Sequence, residues 1–521
     1  MTDRSDSSPD AAFEPLSGMD AGFLYMETPT LHMHTLKVAI LDTSQVPGGL
    51  SFESFRRHLA PRLERIPAFK QRLAYPLFAL THPVWVPDAA FDVDRHIAHR
   101  HAPEPGGMAA LRAVVGDVAS RPLPRDRPLW EITFVDRLGA GRVAFVCKLH
   151  HAMADGSAVL GMLFEAIKAP RPRPPAEGAG AGDLVPSRAG MPAKRDVPPS
   201  RWTLARWAVR RVLAKLLELP ALLGRTLWGL RALRTRAREG GHPALPAAFS
   251  GPRTAWNHAL TARRSFATAT LPMDDLLRVR RSLGVTLNDV FLGVCSGALR
   301  AHLEASEGGL PSESLTASVP VNTRPDLAGR MRGNHVGHLT ALLCSDMADP
   351  VERIRSIHRL MAEAKERHES MGRDLMERWS EFVPPIAFAS TVRFWSGRHM
   401  ADIVPPPVSL IVSNVPGPRE EVVFGGMKLE ALYSVGPILE GIGLNITGWS
   451  YAGRMYVVGL ACPDQIEDVQ ALVDGLEPAL AEVLRACEPR GVESPGRITP
   501  AREPAKAALA ADEGDPTTGV A

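Results

Sequence analysis

A run of proline, glycine and charged residues interrupts this chain and limits where folded domains can lie. Residues 170–200 have the sequence PRPRPPAEGAGAGDLVPSRAGMPAKRDVPPS, which cannot bury enough apolar surface to offset the entropy lost on ordering. Residues 1–12 and 489–521 are similarly poor in large apolar side chains. We therefore predict two domains of ordinary size between these stretches. The predicted organisation is a disordered tail (1–12), an N-terminal domain (13–169), a linker with basic helices (170–244), a C-terminal domain (245–488) and a second disordered tail (489–521).

Length and composition agree with a folded protein of two domains. The chain has 521 residues, whereas a single hydrophobic core stops growing at roughly 250–300 residues. Hydrophobic residues make up 45% of it, which excludes a wholly disordered chain. The 60 Lys and Arg residues against 57 Asp and Glu give a net charge of +3, too small for a general nucleic-acid binder. The five cysteines form no CxxC pair, which excludes a disulfide scaffold or a cysteine-rich zinc site and fits a reducing compartment.

Strand and helix patterns alternate in both predicted domains. Short apolar or β-branched runs predict strands, and apolar residues recurring on one helical face predict helices. The predicted strands are 36–41, 142–149, 317–321, 408–412, 443–450 and 455–460, and the predicted helices are 51–65, 286–303, 351–370 and 465–486. Tyr451-Ala452-Gly453-Arg454 predicts a hairpin between the last two strands. This alternation favours an α/β fold built in layers.

Residues 201–240 differ from both domains because tryptophan and leucine alternate there with many arginines. This pattern is typical of helices that lie in a membrane interface. The alternative is a pair of linker helices that pack across the two domains and expose an ordinary basic face. Pro220 is expected to break the segment into two helices. No secretory signal and no run of about 20 apolar residues occurs, which predicts a soluble or surface-bound protein rather than an integral one.

The motif HHAMADG, residues 150–156, is the strongest local indication of chemistry. It lies between a predicted strand and a predicted helix, so that His151 is at the strand end and Asp155 at the start of the helix. A strand end can project one imidazole into a cleft as a base, while the carboxylate fixes the surrounding loop. The alternatives are a structural histidine and a helix-capping aspartate. A zinc site is disfavoured because the motif lacks the histidine spacing and the glutamate of HExxH.

HHAMADG resembles the HHxxxDG signature of the CoA-dependent acyltransferase superfamily, which includes chloramphenicol acetyltransferases and peptide-synthetase condensation domains. Five further blocks resemble, in the same order, those of the bacterial wax ester synthase/diacylglycerol acyltransferase family. They are PLSGMDAGFL (15–24), RPLWE (127–131), TLNDVFLGVCSGALR (286–300), SVPVNTRP with GNHVG (318–325 and 333–337) and SNVPGP (413–418). The resemblance covers residues 13–488.

The resemblance implies two chloramphenicol-acetyltransferase-like domains around a central tunnel, joined by a helical linker. Acyl-CoA and a lipid alcohol would be the substrates, with no further cofactor and no metal. It also implies that His151 is the general base, that Asp155 shapes its loop and that His150 supports the loop. Asn288 is the candidate for stabilising the oxyanion.

The physical chemistry of acyl transfer is consistent with these roles. A neutral imidazole can accept the proton of an alcohol as the new C–O bond forms and deliver it to the departing thiolate. The oxyanion needs a fixed donor, and Asn288 lies in the first turn of a predicted helix, where exposed N–H groups favour an anion. The alternative is that Asn288 and Asp289 only cap this helix. Ser157 lacks a GxSxG turn, so we predict direct transfer in a ternary complex without an acyl-enzyme.

Five residues are predicted to bind substrate on weaker grounds. Pro128, Leu129 and Trp130 are bulky and apolar and could line an acyl channel, and packing in the core is the alternative. Asp289 is assigned to the same group through its motif. Arg324 follows a predicted strand and could pair with Asp155 or stabilise the domain junction; an exposed surface arginine is the alternative.

We therefore predict an acyl-CoA-dependent O-acyltransferase that makes triacylglycerol or wax ester. It is expected in the cytoplasm, peripherally attached to the membrane or to lipid droplets. One alternative is a condensation-type acyltransferase that uses carrier-bound thioesters, although no carrier domain is evident. Another is a non-catalytic protein that binds lipid droplets. The sequence leaves open the acceptor alcohol, the acyl-chain length and the oligomeric state.

Overall fold

The computed structural model describes most of the chain between the two predicted tails. The described residues are 13–153, 199–239, 251–322, 336–371, 375–424 and 426–488. Both predicted tails, residues 170–198 and 240–244 of the predicted linker, and the helix predicted after Gly156 lie outside these ranges. The same holds for Asp155, Ser157 and Arg324.

The first six-stranded sheet carries the end of the HHAMADG strand. Its strand order is β12-β13-β2-β7-β6-β5. The strands are β2 (His34–Asp42), β5 (Ile97–His101), β6 (Trp130–Asp136), β7 (Arg142–His150), β12 (Val423–Phe424) and β13 (Met427–Val435). Strands β2 and β7 are antiparallel, with His34 opposite His150, and both are almost wholly buried. Burial on both faces explains why both strands are largely apolar, although each also buries one lysine, Lys37 in β2 and Lys148 in β7.

The second six-stranded sheet is formed by the C-terminal half of the chain. Its order is β10-β9-β11-β14-β15-β8. The strands are β8 (Ser265–Pro272), β9 (Thr316–Asn322), β10 (Val336–Leu342), β11 (Leu410–Val415), β14 (Leu444–Tyr451) and β15 (Arg454–Ala461). The predicted hairpin joins β14 to β15, with positive φ at Ala452 and Gly453, as a tight hairpin turn requires. A small third sheet contains β1 (Glu14–Pro15), β3 (Gln71–Ala74) and β4 (Val84–Pro87).

Helices cover these sheets and confirm most of the predicted positions. They are α1 (Gly18–Met26), α2 (Phe52–Leu63), α3 (Gly107–Ala119), α4 (Arg201–Glu239), α5 (Met273–Leu283), α6 (Leu287–Glu304), α7 (Pro350–Met371), α8 (Leu375–Ser380), α9 (Pro385–Gly397), α10 (Val469–Asp474) and α11 (Leu476–Cys487). The single helix predicted at 465–486 is wrong. Asp468 caps the start of α10 with its carboxylate, and the helix stops before Gly475, after which α11 begins.

The two sheets share hydrophobic packing, and one strand connects the halves of the chain. Strand β13, from the C-terminal half, pairs with β2 in the first sheet, with Val435 opposite Leu36. One buried cluster contains side chains of both six-stranded sheets, including Tyr433 and Tyr456, whose ring centroids are 5.4 Å apart. The α/β fold class is therefore confirmed. The domain boundary at 244/245 stays a prediction. The first sheet combines strands from both sides of this boundary, since β12 and β13 follow it and β2, β5, β6 and β7 precede it.

Helix α4 corrects the prediction that Pro220 breaks the basic segment. The helix runs continuously from Arg201 to Glu239 with Pro220 inside it. A proline removes the hydrogen bond to the carbonyl four residues earlier, here that of Leu216. Both Pro220 and Leu216 are on the exposed side of α4, where water can satisfy that carbonyl. No single helix of the described chain, α4 included, is long and apolar enough to span a membrane. Among the described helices only α5 and α6, bent by 106° relative to each other, have the required length and composition as a pair.

Candidate functional site

His151 directly follows strand β7, and two contacts fix its position. Its backbone N–H donates a hydrogen bond to the carbonyl of Met33 at 2.7 Å. Its ring stacks on Phe23 of α1, with 4.2 Å between the ring centroids and 27° between the planes. The side chain is half-buried. The predicted base is therefore at a strand end, packed on one side and partly accessible to solvent.

Hydrogen bonds and close packing fix the position of the N-terminus of helix α1. Ser17 caps the helix, accepting a hydrogen bond from the Asp20 N–H at 3.0 Å. The N–H of Gly18 donates to a carboxylate oxygen of Glu381 at 2.6 Å. A Cβ atom on Gly18 would lie 2.3 Å from the carbonyl carbon of Ser380, so only glycine permits this approach. The opening motif thus holds Phe23, and through it the ring of His151, at a fixed place.

Replacing Gly18 by alanine is expected to lower the free energy of unfolding by about 1–3 kcal/mol, because the added methyl overlaps backbone atoms of residues 380–381. Gly22 on the same helix provides a matched control. A Cβ there meets no heavy atom within 4 Å, so Gly22→Ala is expected to stabilise by about 0.5–1 kcal/mol. Urea unfolding of both variants measures the difference, and equal effects would contradict the close packing of α1.

His150 is fully buried and is held neutral. Its backbone N–H donates to the carbonyl of Leu129, and its Nδ1 accepts a hydrogen bond from the N–H of Ala152 at 3.1 Å. Burial, reinforced by the charge of Arg125, lowers the pKa of His150 well below its ordinary value. The neutral ring therefore carries its proton on Nε2. These contacts shape the turn that presents His151, and the supporting role of His150 in the reaction stays a prediction.

An ion pair behind this turn was missed by the sequence analysis. Glu27, directly after α1, contacts the guanidinium of Arg125, and one of its oxygens lies 3.4 Å from Nε2 of His150. Burial lowers the pKa of Arg125 to about 10. Glu27 lies just beyond the opening motif and Arg125 two residues before RPLWE. Their proximity in sequence to these two motifs is the feature from which this ion pair could have been predicted.

The predicted oxyanion residue lies at the N-terminus of α6. The cap of this helix is formed by Thr286 and Asp289, each of whose side chains accepts a hydrogen bond from the other's backbone N–H. Asp289 is 1% exposed and also accepts a hydrogen bond from Nδ1 of His358 at 2.7 Å. The structure therefore gives Asp289 a structural role, and its binding of substrate stays a prediction. Asn288 is half-buried, and the cap does not use its amide.

The RPLWE block lies in the core beside the histidine strand. Pro128, Leu129 and Trp130 are all buried. The indole of Trp130 donates to the carbonyl of Phe69 at 2.9 Å and stacks on His96 at 4.4 Å between centroids. The structure supports the core alternative for this block, and its contact with an acyl chain stays a prediction. The roles of Asp155 and Arg324 also stay predictions, because both residues lie outside the described ranges.

Comparisons with known proteins agree with this fold and motif order. Residues 16–291 match the wax ester synthase/diacylglycerol acyltransferase catalytic domain, and residues 332–483 match the C-terminal domain of the same family. A protein of Mycobacterium tuberculosis H37Rv named as a diacylglycerol O-acyltransferase is 36% identical over 476 residues, which cover 90% of this chain and 96% of that protein.

Solved structures share the architecture. The wax ester synthase/diacylglycerol acyltransferase from Marinobacter aquaeolei VT8 is 25% identical, with a TM-score of 0.61, and the match covers 91% of this chain and 99% of that one. The first condensation domain of the calcium-dependent antibiotic synthetase, in complex with a substrate analogue, is 17% identical, with a TM-score of 0.53 over 91% of this chain and 96% of that one, and shares the fold alone. The family-model matches and the mycobacterial and Marinobacter relatives define an acyltransferase. The chain belongs to the wax ester synthase/diacylglycerol acyltransferase family.

Proposed function

We propose that this protein transfers a fatty acyl group from acyl-CoA to a lipid alcohol, diacylglycerol or a long-chain alcohol, with His151 as the general base. The observation that carries the proposal is the half-buried ring of His151, stacked on Phe23 of the family's opening motif and held beside the neutral, buried His150. A packed, partly exposed imidazole at a strand end can act on a bound hydroxyl without first reorganising.

In the proposed reaction, the alcohol oxygen attacks the thioester carbonyl while the imidazole of His151 takes the hydroxyl proton. The tetrahedral intermediate then collapses, the C–S bond breaks and the CoA thiolate receives the proton from the imidazolium. Asn288 would donate its amide N–H to the oxyanion, supported by the free N–H groups at the start of α6. Asp155 would order the loop after His151. No residue is acylated in this sequence of steps.

The proposal is tested with the purified full chain, palmitoyl-CoA and a panel of acceptors that includes diacylglycerol, hexadecanol and a short soluble alcohol. We expect one thiol released per ester formed, with a lipid alcohol as the preferred acceptor. Release only with a carrier-loaded acyl group would favour the condensation-type alternative, and no ester with any acceptor would favour a non-catalytic lipid-binding protein. Isolation of an acylated enzyme would contradict direct transfer.

We also propose that α4 attaches the protein to an anionic membrane or lipid-droplet surface on the cytoplasmic side. One face of the helix packs on the protein, where Leu204, Ala208 and Leu222 are buried. The opposite face is apolar and exposed. Its residues are spaced by three, four or seven positions and so lie in one stripe: Trp202, Val209, Leu213, Leu216, Pro220, Leu223 and Leu227.

Charge and exposure favour a lipid surface as the partner of this stripe. Trp202 is 78% exposed, and Leu217, at the stripe's margin, is 83% exposed. Soluble proteins rarely expose a large contiguous patch of such apolar side chains to water, and a patch of this kind marks an interaction surface. Exposed arginines, among them Arg206 and Arg231, accompany the stripe, as expected for binding anionic headgroups. The domain-packing alternative accounts for the buried face of α4 and leaves this stripe without a partner among the described residues.

A loop next to α4 extends this apolar surface. Tyr75, Leu77, Phe78 and Leu80 are exposed, and the loop contacts α4. Phe78 has a φ of 58° and is 75% exposed. A bulky residue in this conformation is strained. A strained loop that presents an aromatic ring to solvent is consistent with insertion of that ring into the interface.

Replacing Leu213 and Leu217 together by glutamate is expected to reduce the partition of the protein onto phosphatidylglycerol vesicles by at least about tenfold, because apolar burial is lost and anionic lipid is repelled. The double variant Ile403→Glu/Val423→Glu adds the same charge at other exposed apolar sites and should partition like the parent. Vesicle cosedimentation measures both, and turnover of a soluble alcohol should change in neither. Equal partition of the two variants would discredit the role of α4.

A further inference from the structure

We propose that His99, His101 and Asp136 form a binding site for a divalent transition-metal ion, with Zn²⁺ as the best-suited ion. His99 and His101 alternate along β5, so both side chains project from the same face. The neighbouring strand β6 runs parallel and places Asp136 opposite His101. One imidazole nitrogen from each histidine and a carboxylate oxygen all lie within 4.8 Å of one another, a spacing that one ion can bridge.

The ligand atoms already converge without an ion. Nε2 of His99 lies 2.8 Å from one oxygen of Asp136, and Nδ1 of His101 lies 2.6 Å from the other. The ring of His99 stacks on Phe52, with 4.6 Å between centroids and 12° between planes, so its orientation is fixed by packing. Little conformational entropy would therefore be lost when an ion binds.

The donor set selects the class of ion. Two imidazole nitrogens and one carboxylate oxygen suit Zn²⁺, with water in the fourth tetrahedral position, whereas Mg²⁺ and Ca²⁺ prefer oxygen ligands throughout. The side chains of His99 and Asp136 are 30% and 27% exposed and that of His101 is 51% exposed, so an ion can reach the site directly. On binding, each ring nitrogen that now faces the carboxylate would offer its lone pair to the ion, and its proton would move to the other ring nitrogen.

This site is separate from the acyltransferase centre. Trp130 begins β6 opposite Leu149, next to the histidine motif, whereas Asp136 ends the same strand. Six residues of extended strand separate the two ends by roughly 20 Å. The ion would connect β5, which is an edge strand of the first sheet, to its neighbour β6. Its effect is therefore expected on the stability of this sheet edge and not on acyl transfer.

A second group of the same residue types provides an internal control. Asp402 lies 3.2 Å from Nδ1 of His258 and 3.7 Å from Nδ1 of His399. Within the described parts of the chain, only His99, His101 and Asp136 meet the 4.8 Å spacing. If the presence of two histidines and one aspartate were sufficient, both groups would bind the ion. If the spacing of the ligand atoms decides, only His99, His101 and Asp136 should bind it.

The test is isothermal titration of the untagged, chelator-treated full chain with ZnCl₂, together with thermal unfolding with and without the ion. We expect one saturable site per chain and a rise in Tm with Zn²⁺. His101→Ala and Asp136→Asn should each weaken the affinity at least about tenfold and abolish the Tm shift, and His258→Ala should change neither. Acyl transfer should be the same before and after chelation.

Two results would overturn the proposal. One is the absence of saturable binding to the parent, which would leave the cluster as an ordinary pair of histidine–carboxylate hydrogen bonds. The other is parental affinity in both His101→Ala and Asp136→Asn, which would place the ion elsewhere. Asp136→Asn preserves the shape of the side chain, and circular dichroism of each variant separates loss of binding from loss of fold.

Discussion

Replacing His151 by alanine is expected to lower kcat/KM for acyl transfer by about 10²–10⁴-fold, the usual contribution of a positioned general base. The ring is the predicted proton acceptor, and no described neighbour can take over this role at the same place, because His150 is fully buried and its Nδ1 is occupied by Ala152. Thiol release from palmitoyl-CoA in the presence of a lipid alcohol measures the effect.

The fold should tolerate this substitution, which allows the loss to be assigned to chemistry. The backbone bond from His151 to Met33 remains in the variant, and only the stacking on Phe23 is lost. His58→Ala on α2 is a matched control, since it removes an imidazole far along the chain from the motif, and it should keep parental activity. A His151→Ala variant as active as the parent would require another base or a non-catalytic role for the motif.

Asn288→Ala is expected to lower kcat by about 10²–10³-fold, the cost of removing one oxyanion donor. KM should change little, because the bond to the amide would form mainly in the transition state. Single-turnover thiol release at saturating substrate isolates this step.

Thr286→Ala separates catalysis from capping at the same helix end. This variant removes the hydroxyl that caps α6 and should cost about 1 kcal/mol of stability with a change in kcat of only a few-fold. If Asn288→Ala resembled Thr286→Ala in both stability and kcat, Asn288 would be a helix-terminal residue and not an oxyanion donor.

Residue patterns within a short stretch of sequence predicted the strands, helices and turns whose formation depends mainly on neighbouring residues. Strand β7, helix α6 and the β14–β15 hairpin have apolar periodicity, cap or turn residues within a short window, and all three occur where they were predicted. The position of His151 at a strand end follows from the same information. The position of helix α4 was predicted correctly, but its continuity through Pro220 was not. Whether Pro220 breaks the helix depends on whether the carbonyl of Leu216, which has lost its hydrogen bond, can bind water instead.

Contacts between distant segments could not be predicted in this way. The approach of Gly18 to Ser380, the pairing of Glu27 with Arg125 and the insertion of β13 beside β2 join residues about 100 to 400 positions apart. No periodicity within one segment encodes such contacts. The burial of Trp130 also depends on partners from elsewhere in the chain, Phe69 and His96.

The pairing of β2 with β13 has a consequence for synthesis of the protein. Strand β2 ends at Asp42, and its partner is completed only at Val435. At a translation rate of about 5–20 residues per second, this edge of the nascent sheet waits roughly 20–80 s for its partner. An unpaired strand edge is a template for aggregation, so ribosome-bound chains should depend on chaperones throughout this interval.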